Sequence, residues 1–163
     1  MRRSEVRVRR TSRGDFELRL PDEERALLRG LPDEMRRVLD ASDPAADRLF
    51  PPAYPDDPDR DAEYRRMTRD DLRAGRLSSL EVMEATIDAG RIDEDQLIAW
   101  LGALNDLRLV LGTRLGVTED LDEDRLDDPK DGPAYGLYHY LGWLESQVVD
   151  ALAEGLDPAG SEG

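Results

Sequence analysis

WLGALNDLRLVLGTRLG, residues 100–116, is the most apolar stretch of a chain in which 37% of residues are charged, yet it carries Asn105 and Arg108. At about 100° per residue, Leu97, Trp100, Leu101, Leu104, Leu107, Leu111 and Leu115 form one broad helical face, widened by Ala103 and Val110. Ile98 and Leu109 lie near its other edge, leaving a narrow polar lane around Gly102, Asp106 and Thr113. A helix apolar over so much of its circumference is a central one, covered on several sides, and it argues for a mainly α domain. Arg108 projects from the middle of the broad face, with Asn105 one turn earlier. A buried guanidinium without a partner is strongly unfavourable, so the sequence predicts a structural ion pair, with Glu81, Glu84 and Glu145 as candidate partners. The alternatives are a clamp for a ligand carboxylate or phosphate, and escape of the side chain to solvent. Gly102 and Gly112 are unfavourable inside a helix and point to close approach of another element.

Working outward, Asp93 and Gln96 form a capping box that opens this helix, with Ile92 and Leu97 placed as a hydrophobic staple. Ser78 and Glu81 repeat the pattern, which predicts a separate helix carrying Leu80, Met83 and Ile87. An earlier helix begins near 57–61, carries Tyr64, Met67 and Leu72, and ends at Gly75. Pro21 opens a helical stripe of Leu27, Leu28, Leu31, Met35, Val38 and Leu39, broken or kinked by Gly30 and Pro32. Between these lies a Pro/Asp-rich loop, 41–61, which Leu49, Phe50 and Tyr54 should hold against the core in extended form.

The N-terminus has a different period. Val6 and Val8 alternate with arginines, SRGD makes a turn, and Phe16, Leu18 and Leu20 alternate with Glu17 and Arg19, so residues 5–20 read as a β-hairpin in which Arg7 or Arg9 faces Glu17. Residues 1–13 hold six arginines against one glutamate, an arm of +5 that could also meet an acidic partner.

Past the central helix, an acidic loop at 117–132 leads to a final helix opened by Pro133 and reaching about Glu154; residues 155–163 read as a disordered tail. The final helix puts Leu137, Leu141, Leu144, Val148 and Leu152 on a core stripe bordered by Tyr138. Tyr135, His139 and Trp143, spaced by four, form a second ridge on nearly the opposite side, which either covers the hairpin or lies exposed as a partner-binding surface.

Composition excludes several chemistries. Net charge is −15, which argues against a long basic surface for direct nucleic-acid binding. With no cysteine, there are no disulfides, thiolate ligands or thiol sensors in this sequence. The basic start is followed by no apolar leader core, and no run approaches the roughly 20 apolar residues needed to span a bilayer, so a cytoplasmic protein without membrane insertion is expected. His139 is the only histidine, no serine sits in a G-x-S-x-G elbow, and neither a phosphate-binding nor a dinucleotide-binding glycine motif occurs. No catalytic residues, cofactor or metal ligands are therefore assigned. Asp120, Asp122, Asp124, Asp128 and Asp131 approach the spacing of a calcium loop, but Arg125 stands where that loop needs glycine.

Three segments resemble a known family: LFPPAYPDDPDRDAEYRRMTRDDLRAGRL, DEDQLIAWLGALNDLRLVLGTRLGV and YGLYHYLGWLESQVV, with LLRGLPDEMRRVL in support. They are similar to the actinobacterial domain of unknown function whose characterised branch is the actinomycete oxidative-stress regulator. Heavy use of arginine, with Lys130 the single lysine, fits such a high-GC source. The resemblance implies a cytoplasmic, non-enzymatic regulator that binds an extracytoplasmic-function sigma factor and influences thiol-metabolism genes. That branch senses oxidation through a cysteine pair, and this sequence has none, so partner binding can carry over and the sensor cannot.

The sequence thus predicts a single, mainly α domain over 1–154, a compact fold of five to six helices with an N-terminal β-hairpin, acting as a regulatory interaction module. Tyr135, His139 and Trp143 are its candidate partner-binding residues, and Asn105 and Arg108 its buried polar ones. The alternatives are a small-molecule-binding or hydrolytic protein with an interhelical pocket near Arg108, and an adaptor linked to Clp proteolysis, suggested by the family's gene neighbourhood. The oligomeric state is left open.

Overall fold

A computed structural model describes residues 6–40, 44–50, 52–116 and 132–154. The acidic loop with its calcium-like aspartates (Asp120 to Asp131), the tail, and Arg2 and Arg3 of the basic arm lie outside the described residues.

The N-terminal alternation produces strands β1 (Val8–Arg10) and β2 (Phe16–Leu18), paired antiparallel with Arg9 opposite Glu17. Gly14, at φ 89°, supplies the left-handed turn residue between them. A third strand that periodicity did not reveal, β3 (Arg91–Ile92), adds to the other edge of β2, and Phe16 lies opposite Ile92. Val8, Phe16, Leu18 and Ile92 are buried, whereas Val6, expected on the apolar face, is half exposed.

The stripe after Pro21 becomes two helices, α1 (Asp22–Arg29) and α2 (Leu31–Asp40), with the break at Gly30 and Pro32 in the first turn of α2. Leu28, Met35, Val38 and Leu39 face the core. Part of the Pro/Asp-rich loop is a short 3₁₀ helix, Pro44–Leu49, where an extended course was expected. Leu49 and Ala46 are buried in the main hydrophobic cluster, so the expected contact with the core forms in a different local geometry.

Helix α3 (Pro58–Thr86) corrects the reading of two helices divided at Gly75. Its start agrees: Pro58 sits in the first turn and the Asp57 carboxylate accepts from the Arg60 N–H at 3.2 Å. The Ser78 box does not form, because a serine caps only where the chain leaves helical geometry, and here the helix runs through. Gly75 disfavours the helix by about 1 kcal/mol, too little to end it when Leu80 and Met83 on the same helix are fully buried.

Helix α4 (Glu94–Leu115) opens with both halves of the Asp93–Gln96 capping box and closes on Gly116 at φ 66°. It packs against α3, the 3₁₀ helix and α5 (Gly132–Glu154), as the central element should. Trp100 is buried and its indole N–H donates to Thr86 Oγ1 at 2.7 Å, while that hydroxyl donates to the Val82 carbonyl, also at 2.7 Å, tying α3 to α4. At Gly112 a side chain of α5 lies close: a Cβ there would lie 3.0 Å from the Tyr138 ring. Gly102 faces only Ser79 at ordinary contact distance. The fold is a mainly α domain with a small antiparallel sheet at its N-terminal end.

Candidate functional site

Arg108 and Asn105 are not the buried polar pair that the pattern of α4 suggested. Arg108 Nε lies 3.2 Å from Glu145 Oε2 on α5, so one of the three candidate carboxylates is its partner, but the Arg108 side chain is 36% exposed. Burial raises the pKa of Glu145, with the Arg108 charge acting in the opposite direction. Asn105 is half-buried. The buried acid is Asp106, assigned above to the polar lane, now 3% exposed and bound by Arg76 of α3. Arg76 also donates to the Leu49 carbonyl at 2.6 Å, so one guanidinium joins α3, α4 and the 3₁₀ helix.

A second ion pair holds the sheet to the helices. Arg7 is buried, rather than facing Glu17, and its guanidinium donates to both carboxylate oxygens of Glu24 on α1 at 3.0 to 3.2 Å. Glu24 Oε1 also accepts from the Tyr140 hydroxyl at 2.7 Å, and the Arg7 backbone N–H donates to Gln147 Oε1 at 3.0 Å. Burial, followed by the bond to Glu24, pushes the Tyr140 pKa well above the usual phenol range.

Trp143 covers this pair, with the Arg7 guanidinium 5.3 Å from its ring centroid. The ridge of α5 is therefore divided. Tyr135 is 2% exposed and its hydroxyl donates to the Leu115 carbonyl at 3.1 Å, so it belongs to the interior and not to a partner surface. His139 and Trp143 are half-buried and line, with Leu27, Pro133, Gly136, Leu137 and Tyr140, a groove of about 430 Å³ between α1 and α5. The ridge gives cover to the hairpin at Trp143 and an open edge at His139, with Leu27 of α1 exposed beside it.

The other large opening was missed by sequence reasoning. Tyr64, Met67 and Leu72, which the sequence reading placed on this helix without assigning them a face, are 42%, 74% and 44% exposed. Between this half of α3 and Leu49, Phe50, Pro52 and Ala53 runs a groove of about 420 Å³ whose α3 side is Tyr64, Thr68, Leu72 and three arginines, Arg65, Arg69 and Arg76. A smaller groove, about 160 Å³, lies among α2, α4 and α5. Arg108 lines none of these three grooves. Among the described residues no group of three or more His, Asp or Glu side chains is placed to hold a metal ion, and no helix is long and apolar enough to cross a membrane.

Residues 1–152 match the family described as domain of unknown function DUF2017. The chain belongs to that family. No curated protein and no solved structure matches it. The match covers every described residue of the DUF2017 domain up to the last turn of α5, so both large grooves and both buried ion pairs lie within it.

Proposed function

We propose that this protein is a non-enzymatic regulator that acts by binding a protein partner, and that the partner is an extracytoplasmic-function sigma factor. The observation that carries the reading is the groove between α1 and α5. An exposed leucine, Leu27, stands beside the half-buried His139 and Trp143, and Trp143 packs over the buried Arg7 guanidinium. Aromatic side chains beside an exposed apolar residue in a concave patch are the usual anchors of protein interfaces. The class of partner is taken from the resemblance to the actinomycete oxidative-stress regulator family. Since the sequence has no cysteine, the complex in this reading responds to a signal other than disulfide formation in this chain.

The test uses the purified full chain and an extracytoplasmic-function sigma factor from the same host, with binding followed by calorimetry. Leu27→Asp and His139→Ala change solvent-facing atoms of the groove and should weaken the complex by about tenfold or more while leaving the melting temperature in place. Trp143→Ala should lower both binding and stability, because the ring also covers Arg7. Unchanged affinity for Leu27→Asp and His139→Ala would remove this groove from the interface, and absence of any complex would remove the sigma factor.

A further inference from the structure

Helix α3 divides into two parts of unlike burial, at a distance in sequence from the groove of Leu27 and His139. Its buried residues, Leu80, Met83 and Thr86, all lie in its last two turns. From Pro58 to Ser79 none is buried, and neither is any of residues 52–57, which lead into the helix. The helix is fixed on α4 by Arg76 on Asp106, by Ser79 beside Gly102 and by the Thr86–Trp100 bond, all at or past Arg76.

The outer part is tied to itself. The Tyr54 N–H donates to Asp61 Oδ1 at 3.1 Å, the Tyr54 ring meets Tyr64 edge-on at 5.9 Å and lies under Arg60 at 4.4 Å, and Asp61 pairs with Arg65. Residues 52–57 and the first turns of α3 thus form one small unit. Its contacts with the rest of the domain include the exposed pair of Arg73 with Asp40 and the Arg69 guanidinium 5.8 Å from the Phe50 ring. Contacts of this kind, open to water, contribute little. Nor does the helix sustain itself here. Thr68, Asp70, Asp71 and Gly75 are poor helix formers, and a helix of this length without a buried face is marginal in water.

Arg76 stands where the two parts meet. Its guanidinium binds the buried Asp106 and donates to the carbonyl of the buried Leu49 at 2.6 Å, so a single side chain holds the base of the outer helix, the chain before it and α4 together. Gly75, directly before it, has open space at its Cβ position and the weakest helix propensity short of proline.

We propose that residues 52–75 are a flap that opens as a unit from an otherwise folded domain, hinged at Gly75 and latched by Arg76. Opening breaks contacts that are already exposed and leaves Leu80, Met83 and the core of α4 in place, so the open state lies far below global unfolding in free energy.

The test is native-state amide hydrogen exchange of the full chain, followed by NMR under conditions where reclosing outpaces exchange. The amides of 62–75 should share one opening free energy and exchange at least about a hundredfold faster than those of 98–112, after correction for intrinsic rates. Val148→Ala, in the buried stripe of α5, should speed exchange in α4 and α5 by about tenfold or more and leave 62–75 unchanged. Gly75→Ala should slow 62–75 by about fivefold. Arg76→Met combined with Asp106→Asn, which releases the latch without stranding a charge, should speed 62–75 by about tenfold and by a larger factor than 98–112. Exchange of 62–75 as slow as that of α4, or accelerated in step with it by Val148→Ala, would overturn the proposal, because the flap would then open only in global unfolding. Protection that declines gradually from 75 to 62, with Gly75→Ala felt only by its neighbours, would overturn it in favour of fraying. Equal acceleration of 62–75 and 98–112 by the Arg76 and Asp106 substitutions would remove Arg76 as the latch.

Discussion

Arg7 and Glu24 form a buried ion pair that closes the N-terminal sheet onto the helices, with side chains 3% and 5% exposed and three guanidinium–carboxylate hydrogen bonds between them. Its stabilising effect depends on both partners being present, because either charge left alone in this site would be desolvated without compensation. Arg7→Ala should destabilise the protein by about 3–5 kcal/mol in urea unfolding. Arg7→Met combined with Glu24→Gln, which keeps an acceptor for Tyr140, should cost less than Arg7→Ala alone. Equal losses would show that packing of the arginine stem under Trp143, and not the stranded carboxylate, dominates.

The Asp106 carboxylate gives the protein a defined pH dependence. Burial raises its pKa above the ordinary 3.8, and the charge and hydrogen bond of Arg76 offset this only in part. The folded state therefore holds the extra proton more readily than the unfolded chain. The stability this confers is full below 3.8 and is lost as pH rises through the folded value. Asp106→Asn removes the titration, so the melting temperature of the variant minus that of the wild type should be more positive at neutral pH than near pH 4. A difference that is constant with pH, or larger in acid, would contradict the direction of the shift.

Arg108 lies at a seam rather than in a sealed site, and its substitution should be mild. The pair with Glu145 is close enough for Coulombic attraction, but among the described residues Glu145 Oε2 has no hydrogen-bond partner, and the arginine side chain is 36% exposed. Arg108→Ala is expected to cost about 1 kcal/mol or less in urea unfolding. A loss as large as that of Arg7→Ala would mean that Arg108 is enclosed in solution.

What could be read from sequence follows from how strongly each pattern constrains its element. The hairpin, the Asp93–Gln96 start of α4, the Gly30 break and the core residues of α5 each rest on a short-range rule, and all of them are present. The orientation of α4 was less legible because a helix apolar nearly all round has no sharply defined face. Neighbouring elements decide which polar residue is enclosed: α3 and the 3₁₀ helix enclose Asp106, while Arg108 reaches the edge of α5. The exposure of the outer half of α3 was not legible for a related reason. Tyr64, Met67 and Leu72 are apolar positions on a helix, and spacing alone does not tell a buried stripe from one left exposed, of which Tyr64 and Leu72 line an open groove. Tyr135, His139 and Trp143 share a ridge by their spacing of four, but the end of α4 buries Tyr135 and leaves the other two at the surface.

The two glycines inside α4 provide the sharpest local test of the packing. Alanine is favoured over glycine in a helix by about 0.5–1 kcal/mol, so each site starts with the same expected gain. At Gly102 the new Cβ would lie 3.6 Å from Ser79 Oγ, an ordinary contact, and Gly102→Ala should stabilise the protein by most of that amount. At Gly112 the Cβ would lie 3.0 Å from the Tyr138 ring, which must move away from α4 to accept it. Gly112→Ala should therefore be neutral or destabilising in the wild type and become stabilising when Tyr138 is replaced by alanine, a sign change that urea unfolding of the four variants in a double-mutant cycle measures directly. If Gly112→Ala were as stabilising as Gly102→Ala in the presence of Tyr138, α4 and α5 would not approach each other at Gly112.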